Sequence, residues 1–482
     1  MRSVADERVR ARSRTNVFGD TPRDGSVVVV DMSAILGSVD ASRGPPTAVP
    51  LRHLVVALGF LVAGVLVGAA NALGMVPGVA HLAHVHLLFV GWIAITILGA
   101  MTQFVPVWAG TTLYSRRLAN AQLVLVASGV TTFAVAFASL AWWVLLAGAV
   151  AMWVGFLAFA YNLARTLVTV EDPGTTEWHF AVALAAFVLL GALGVLMAGN
   201  YATGVLAALG VDLAAARGAH VALAVFGAIL TTVYGALYQL APMFTQSDLD
   251  ALDHRLRRVE SVTHPVGVLA LAAGRLADAV VVARVGGALV VLGALAFAVV
   301  LARRLWHARV QPGALQRRYA VAALALAAWA VLTAPAWFSD PTTPDALLGA
   351  PDAGPLLLVA AVGFVVAGTS YHVVPFLVWV ERYSDRLGYE PVPSIDDLYD
   401  ARVARAELVL VVVALVLALA ASVLAVPDAV VALAGTLAVA GVLAFAGNVV
   451  GVVHHHAARG VHAVVLGALA PRRTRDESSA GP

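Results

Sequence analysis

Apolar runs long enough to cross a bilayer recur along almost the whole chain, and they constrain its fold more than any other feature. A hydrocarbon core about 30 Å thick takes about 20 helical residues to span. Inside it every backbone N–H and C=O must be satisfied within the protein, which leaves helices or closed barrels. Barrel strands are about ten residues long and alternate apolar with polar, so runs of this length select helices. Twelve spans are expected, near 53–73, 81–108, 118–138, 141–164, 179–200, 217–243, 259–276, 280–302, 319–338, 354–380, 403–425 and 429–453. The fold class is therefore an all-α integral membrane protein in one membrane domain, 51–456, seated in a lipid bilayer. A tail over 1–50, rich in Arg, Asp, Ser and Pro, precedes it and is expected to be disordered. A second tail covers 457–482.

The basic residues set the orientation. All of them are arginine, and all but Arg217, Arg275 and Arg284 fall in the two tails or in loops after even-numbered spans. By the positive-inside rule both termini are cytoplasmic, in a multi-pass protein of the cell (cytoplasmic) membrane. Arginines spent on membrane-flanking loops do not indicate nucleic-acid binding. Cysteine is absent, which excludes disulfides, thiolate-ligated haem and iron–sulfur clusters.

The chain also repeats itself. Residues 84–106, HVHLLFVGWIAITILGAMTQFVP, align without gaps to residues 220–242, HVALAVFGAILTTVYGALYQLAP, with 10 of 23 positions identical. His84/His220, Gly91/Gly227, Gly99/Gly235, Gln103/Gln239 and Pro106/Pro242 are among the matches. A third copy ends in Gly368-Thr-Ser-Tyr-His-Val-Val-Pro375, with His372 in the glutamine's place and Ala353 in that of the first histidine. The copies lie on spans two, six and ten. The unit is a four-helix block used three times, over 53–164, 179–302 and 319–453.

Polar side chains inside such spans are costly and mark candidate sites. His81, His84, His86 and His220 lie at the outer ends of spans two and six. At 100° per residue His81 and His84 share a helix face, while His86 points about 160° away from His84. Imidazoles from facing helices suit axial ligation of haem iron, with His84 and His220 as ligands and His86 as the alternative on the same helix. His81 with His84 is a candidate copper site. Gly91 and Gly227, seven residues on, leave room for a flat macrocycle or for close helix packing. Gln103, Gln239 and His372, each three residues before a proline, are candidates for an inner polar pocket or for satisfying backbone groups freed by the proline. His179 and His264 begin helices on the inner side and read as interfacial. The acids read as lying in loops or at span ends, Glu381, Glu407 and Asp278 among them, so no carboxylate proton channel is expected.

Twelve helices in three arcs, with His84 followed by Gly99-Ala100 and Pro106, resemble subunit I of the haem–copper oxidase superfamily, which includes the nitric oxide reductases. The segment His84-Val-His86 followed by Pro106-Val-Trp108-Ala-Gly110 is also similar to NnrS-type membrane haem proteins linked to nitric oxide stress. Both resemblances imply haem b and a role in electron transport or respiration, or in binding or reducing a diatomic gas, O2 or NO. They also imply an electron-donor protein or a partner respiratory subunit. If an enzyme, the chain is then an oxidoreductase of the cytochrome c oxidase or nitric oxide reductase type. The copper-centre histidine pair of helix seven and the HxH of helix ten have no counterpart here, so a complete copper centre is not implied. Two other classes remain open: a non-redox small-solute transporter using the Gln103/Gln239/His372 ring, and a cofactor-free assembly subunit.

Overall fold

The computed structural model describes residues 45–466. The rest of both expected tails lies outside the described residues. Twelve long helices follow one another: α1 Ala48–Ala72, α2 Ala80–Trp108, α3 Arg116–Ser139, α4 Trp142–Leu167, α5 Thr175–Thr203, α6 Leu213–Thr245, α7 Ala251–Leu276, α8 Val280–Trp306, α9 Ala314–Ser339, α10 Leu356–Arg382, α11 Ala401–Val423 and α12 Asp428–His456. The first begins inside the stretch assigned to the N-terminal tail. There is no strand among the described residues.

Twelve spans are expected, and 11 of the described helices are long and apolar enough to cross a membrane. The remaining one is α7. It has the length, at 26 residues, but its first half carries Asp253, His254, Arg255, Arg257, Arg258 and Glu260. Its second half is apolar and lies against α8 with no side chains between the two backbones. A Cβ on Gly286 of α8 would stand 2.2 Å from the Leu271 nitrogen, and one on Gly274 of α7 2.4 Å from the Ala283 nitrogen. The α3–α4 hairpin is made the same way, with Gly129 and Gly148 facing each other.

Consecutive helices pack side by side, and α12 returns to pack on α1, closing the bundle. Arg52 of α1 donates to the Val464 carbonyl in the segment after α12 (2.7 Å) and to Asn120 of α3 (2.7 Å). Within the bundle, α6 and α10 are the most buried helices. Both of them and α2 contain a π-helical stretch: Leu87–Ala94, Ala222–Leu230 and Leu356–Gly363. Each stretch includes one glycine of the series Gly91, Gly227, Gly363, evenly spaced in the sequence. π-turns interrupt the regular ladder and concentrate at functional sites.

The helix ends carry a pH prediction. Asp250 caps α7 by accepting from the Leu252 and Asp253 N–H groups (2.9 and 3.0 Å), and Asp400 caps α11 through Arg402 and Val403. These backbone donors hold both carboxyls below the ordinary carboxylate range. A depressed folded value gives stability that is present above the unfolded value of about 3.9 and is lost as pH falls through the folded one. Amide exchange in the first turns of α7 and α11 is expected to accelerate on acidification below that range. Asp250→Asn, which still caps but cannot be protonated, is expected to remove the pH response of α7. Equal acid fraying in that variant would mean the cap is not the cause.

Candidate functional site

At the end of the bundle away from the arginine-rich loops, α2 and α6 present their histidines. His84 Nδ1 lies 2.7 Å from the Gly64 carbonyl of α1, and His220 Nδ1 3.1 Å from the Leu190 carbonyl of α5. Each ring lies against a glycine one turn further along the same neighbour. A Cβ on Gly68 would stand 2.5 Å from the His84 ring, and one on Gly194 3.2 Å from that of His220. The two imidazoles are thus cradled alike. His86 bonds its own helix, with Nδ1 2.8 Å from the Leu82 carbonyl, and its ring packs on Phe133 (4.7 Å) and Phe137 (6.0 Å). His81 is exposed.

This arrangement suits metal ligation in one respect. An imidazole whose Nδ1–H is held by a carbonyl keeps its Nε2 lone pair for a ligand, in a fixed ring orientation. Among the described residues none of the three Nε2 atoms of His84, His86 and His220 has a protein hydrogen-bond partner. An imidazole donor set of this kind fits haem iron, with His84 held by α1, His220 by α5 and His86 by its own helix. No three His, Asp or Glu side chains converge as metal ligands among the described residues.

In the third block the same place is filled. Ala353 stands where the histidine would be, and the Trp329 indole of α9 occupies the region, donating to the Leu348 carbonyl (2.6 Å), while Thr333 accepts from Ala350 N–H (3.1 Å). Gly91 and Gly227 do not leave an open slot. A Cβ there would stand 2.6 Å from Phe60 and 3.0 Å from Ala186, so these glycines serve close packing of α2 on α1 and α6 on α5.

The three polar residues near the prolines meet different surroundings. Gln103 is buried with Oε1 unpartnered, Gln239 is exposed, and His372 packs on Phe244 (4.5 Å). A cleft of about 420 Å³ at that end, lined by Trp108, Thr111, Glu171, Asp172 and Glu177, lies at the opposite end of α2 from its histidines.

A second set of polar residues, unexpected from the sequence, lies one layer in from the arginine-rich end. His53 of α1, His179 of α5 and Arg318 of α9 pack their Cβ atoms over Gly99, Gly235 and Gly368 at 2.5, 2.6 and 3.2 Å from the place of a glycine Cβ. Each side chain also bonds the carbonyl one turn back, of Val49 (2.9 Å), Thr175 (2.7 Å) and Ala314 (2.7 Å). On the third helix of each block stand Gln122, Glu260 and Glu407, each four residues before a side chain packed on Gly155, Gly293 or Gly441. We refer to these three places as stations.

Their chemistry differs. In the first station His53 Nε2 and Gln122 Oε1 are buried and unpartnered. In the second His179 Nε2 lies 3.0 Å from Glu260 Oε2, which also accepts from the Tyr238 hydroxyl (2.9 Å). In the third Arg318 and Glu407 form an ion pair, with Arg318 over the Tyr371 ring at 4.5 Å. Glu260 and Glu407 correct the expectation that acids stay in loops or at solvated ends: both are buried, at 0 % and 2 % exposure. His179 and His264, expected at the interface, are also fully buried. A signal for the stations did exist: His53-Leu-Val-Val-Ala-Leu matches His179-Phe-Ala-Val-Ala-Leu at four of six positions. No family model matches the chain, and no curated protein is a significant match to it.

Proposed function

We propose that the chain is a twelve-helix membrane haem b protein, built of three four-helix blocks, that transfers electrons or binds a diatomic gas. His84 of α2 and His220 of α6 are the ligands, with His86 as the alternative on α2. The observation that carries the reading is the pair of cradled imidazoles: His84 and His220 each have Nδ1 fixed by a neighbouring helix's carbonyl and Nε2 left without a protein partner. Interhelical histidines are expensive in a membrane unless they serve a ligand or a pathway. Haem would supply one-electron chemistry and an affinity for small gases, and the protein's part is to orient the ligands and exclude water. Such a protein needs an electron donor, a soluble protein or a partner subunit, at one membrane face.

Visible spectra of the full chain purified from haem-replete cells test this. A sharp reduced α-band of b type is expected, lost in His220→Ala and His84→Ala and retained in His86→Ala. Loss in His86→Ala with retention in His84→Ala would move the second ligand to His86. A colourless preparation would overturn the haem reading and favour a transporter or an assembly subunit. Carbon monoxide binding to the reduced protein would separate a gas site from a six-coordinate electron carrier.

A further inference from the structure

The three stations share a backbone plan and differ in what can gain or lose a proton. An arginine guanidinium stays charged in proteins, so Arg318–Glu407 is a fixed ion pair. In the first, Gln122 cannot titrate, and its neighbour His53 has no carboxylate against it among the described residues. Only the second station sets an imidazole, a carboxylate and a phenol in direct contact, all within the bundle: His179 and Glu260 at 0 % exposure and Tyr238 at 5 %.

We propose that the second station, Glu260 with His179 and Tyr238, is a buried proton-binding site, the one of the three built to change its protonation state. One proton shared by His179 and Glu260 leaves the pair neutral, the state a low-dielectric core tolerates. Glu260 Oε2 lies 3.0 Å from His179 Nε2 and accepts from the Tyr238 hydroxyl, whereas Oε1 has only the longer contact to His179 Nε2 (3.2 Å). Uptake from the cytoplasmic side places that proton between Glu260 and His179 Nε2, as a Glu260 carboxylic acid against a neutral imidazole whose Nδ1–H is held by the Thr175 carbonyl. Its release leaves the carboxylate with the Tyr238 hydroxyl donating to it. The groups around Glu260 are His179 from α5, Tyr234 and Tyr238 from α6, and Arg257, Ser261 and His264 from its own helix. Against this cluster α8 presents Phe297, stacked on Tyr234 at 4.1 Å, and further along Arg304, which lines a small cavity with Tyr238 and is paired with Asp253 of α7.

A second observation extends the site. One turn beyond Tyr238 and Glu260, the Tyr234 hydroxyl and His264 Nδ1 are fully buried and unpartnered, their rings 4.9 Å apart. Unmet polar atoms in a dry core are costly, and a bound water with a few polar partners satisfies them. His264 Nε2 in turn lies 2.9 Å from the Phe226 carbonyl, inside the π-helical stretch of the helix that carries His220. The polar side chains thus climb from Glu260 towards the middle of α6. This placement does not depend on haem.

Infrared difference spectra of the full chain in lipid nanodiscs, titrated with acid in H2O and D2O, test it. The wild type minus Glu260→Gln double difference is expected to show one protonated-carboxyl band that appears reversibly with acid and shifts on deuteration. In Tyr238→Phe the band should persist with its midpoint displaced by about one pH unit, the scale of one lost hydrogen bond. An empty double difference between about pH 4 and pH 9 would overturn the proposal. Where Glu260→Gln does not fold, Tyr238→Phe decides: no titrating band displaced relative to the wild type also overturns it.

Discussion

Replacing Arg318 with Met is expected to destabilise the protein by about 3–5 kcal/mol, the usual cost of leaving a buried charge unpaired. Glu407 is 2 % exposed and its carboxylate has Arg318 as its counter-charge. The same guanidinium also donates to the Ala314 and Ala404 carbonyls, both at 2.7 Å, so the substitution frees acceptors on α9 and α11 together. Glu407→Gln is expected to cost less, because an amide oxygen still accepts from the guanidinium. The double variant Arg318→Met with Glu407→Leu should recover most of the loss, since an apolar pair of similar volume is often as stable as the ions it replaces. Thermal denaturation of the full chain in detergent, with the singles and the double compared as a cycle, reads the coupling. A cost under about 1 kcal/mol for Arg318→Met would show that water reaches the pair, as at surface bridges.

The long helices were legible because bilayer crossing demands a run of apolar residues, and α1–α6 and α8–α12 meet that demand by hydropathy alone. The α7 helix fails it because Arg255, Arg257 and Arg258 crowd its first half, yet Gly267 and Gly274 still bring its backbone against α8. His84 and His220 were visible as one repeated residue, since each aligned with glycine, glutamine and proline in the same register. What they touch was not visible. The carbonyls that hold them belong to Gly64 and Leu190 on other helices, and no spacing along α2 or α6 encodes that. The role of Gly91 and Gly227 was ambiguous for the same reason: a missing Cβ reads alike whether a ring or a neighbouring helix fills the space. Glu260 and Glu407 were misplaced because a charge near the end of an apolar run looks solvated until a partner on another helix, His179 or Arg318, is found beside it.

Among the glycines, the most damaging substitution is expected at Gly286. A Cβ there would stand 2.2 Å from the Leu271 backbone nitrogen and 2.8 Å from the Gly267 carbonyl oxygen. Neither atom can rotate away as a side-chain end can, so Gly286→Val must push α8 off α7. Lipid tails are as apolar as leucine, so these helices are held by close van der Waals contact between small residues and not by exclusion of water. Overpacking a well-packed core costs about 1–3 kcal/mol, and a clash against backbone should reach or pass the upper end. Gly148→Val, in the equivalent hairpin of the first block, should cost less, because its nearest foreign atoms, the Gly129 carbonyl oxygen and the Phe133 nitrogen, lie at 2.9 Å. Gly435 of α12 has nothing within 4 Å of its Cβ position, and Gly435→Val should stay within about 0.5 kcal/mol of wild type. Since Asp253 and Glu260 lie on α7, separation of the hairpin should also strip Asp253 from Arg303 and Arg304 of α8. Denaturation midpoints in the order Gly435→Val, Gly148→Val, Gly286→Val, from highest to lowest, are the expected outcome. Equal midpoints for Gly286→Val and Gly435→Val would mean that α7 and α8 do not approach this closely in the membrane.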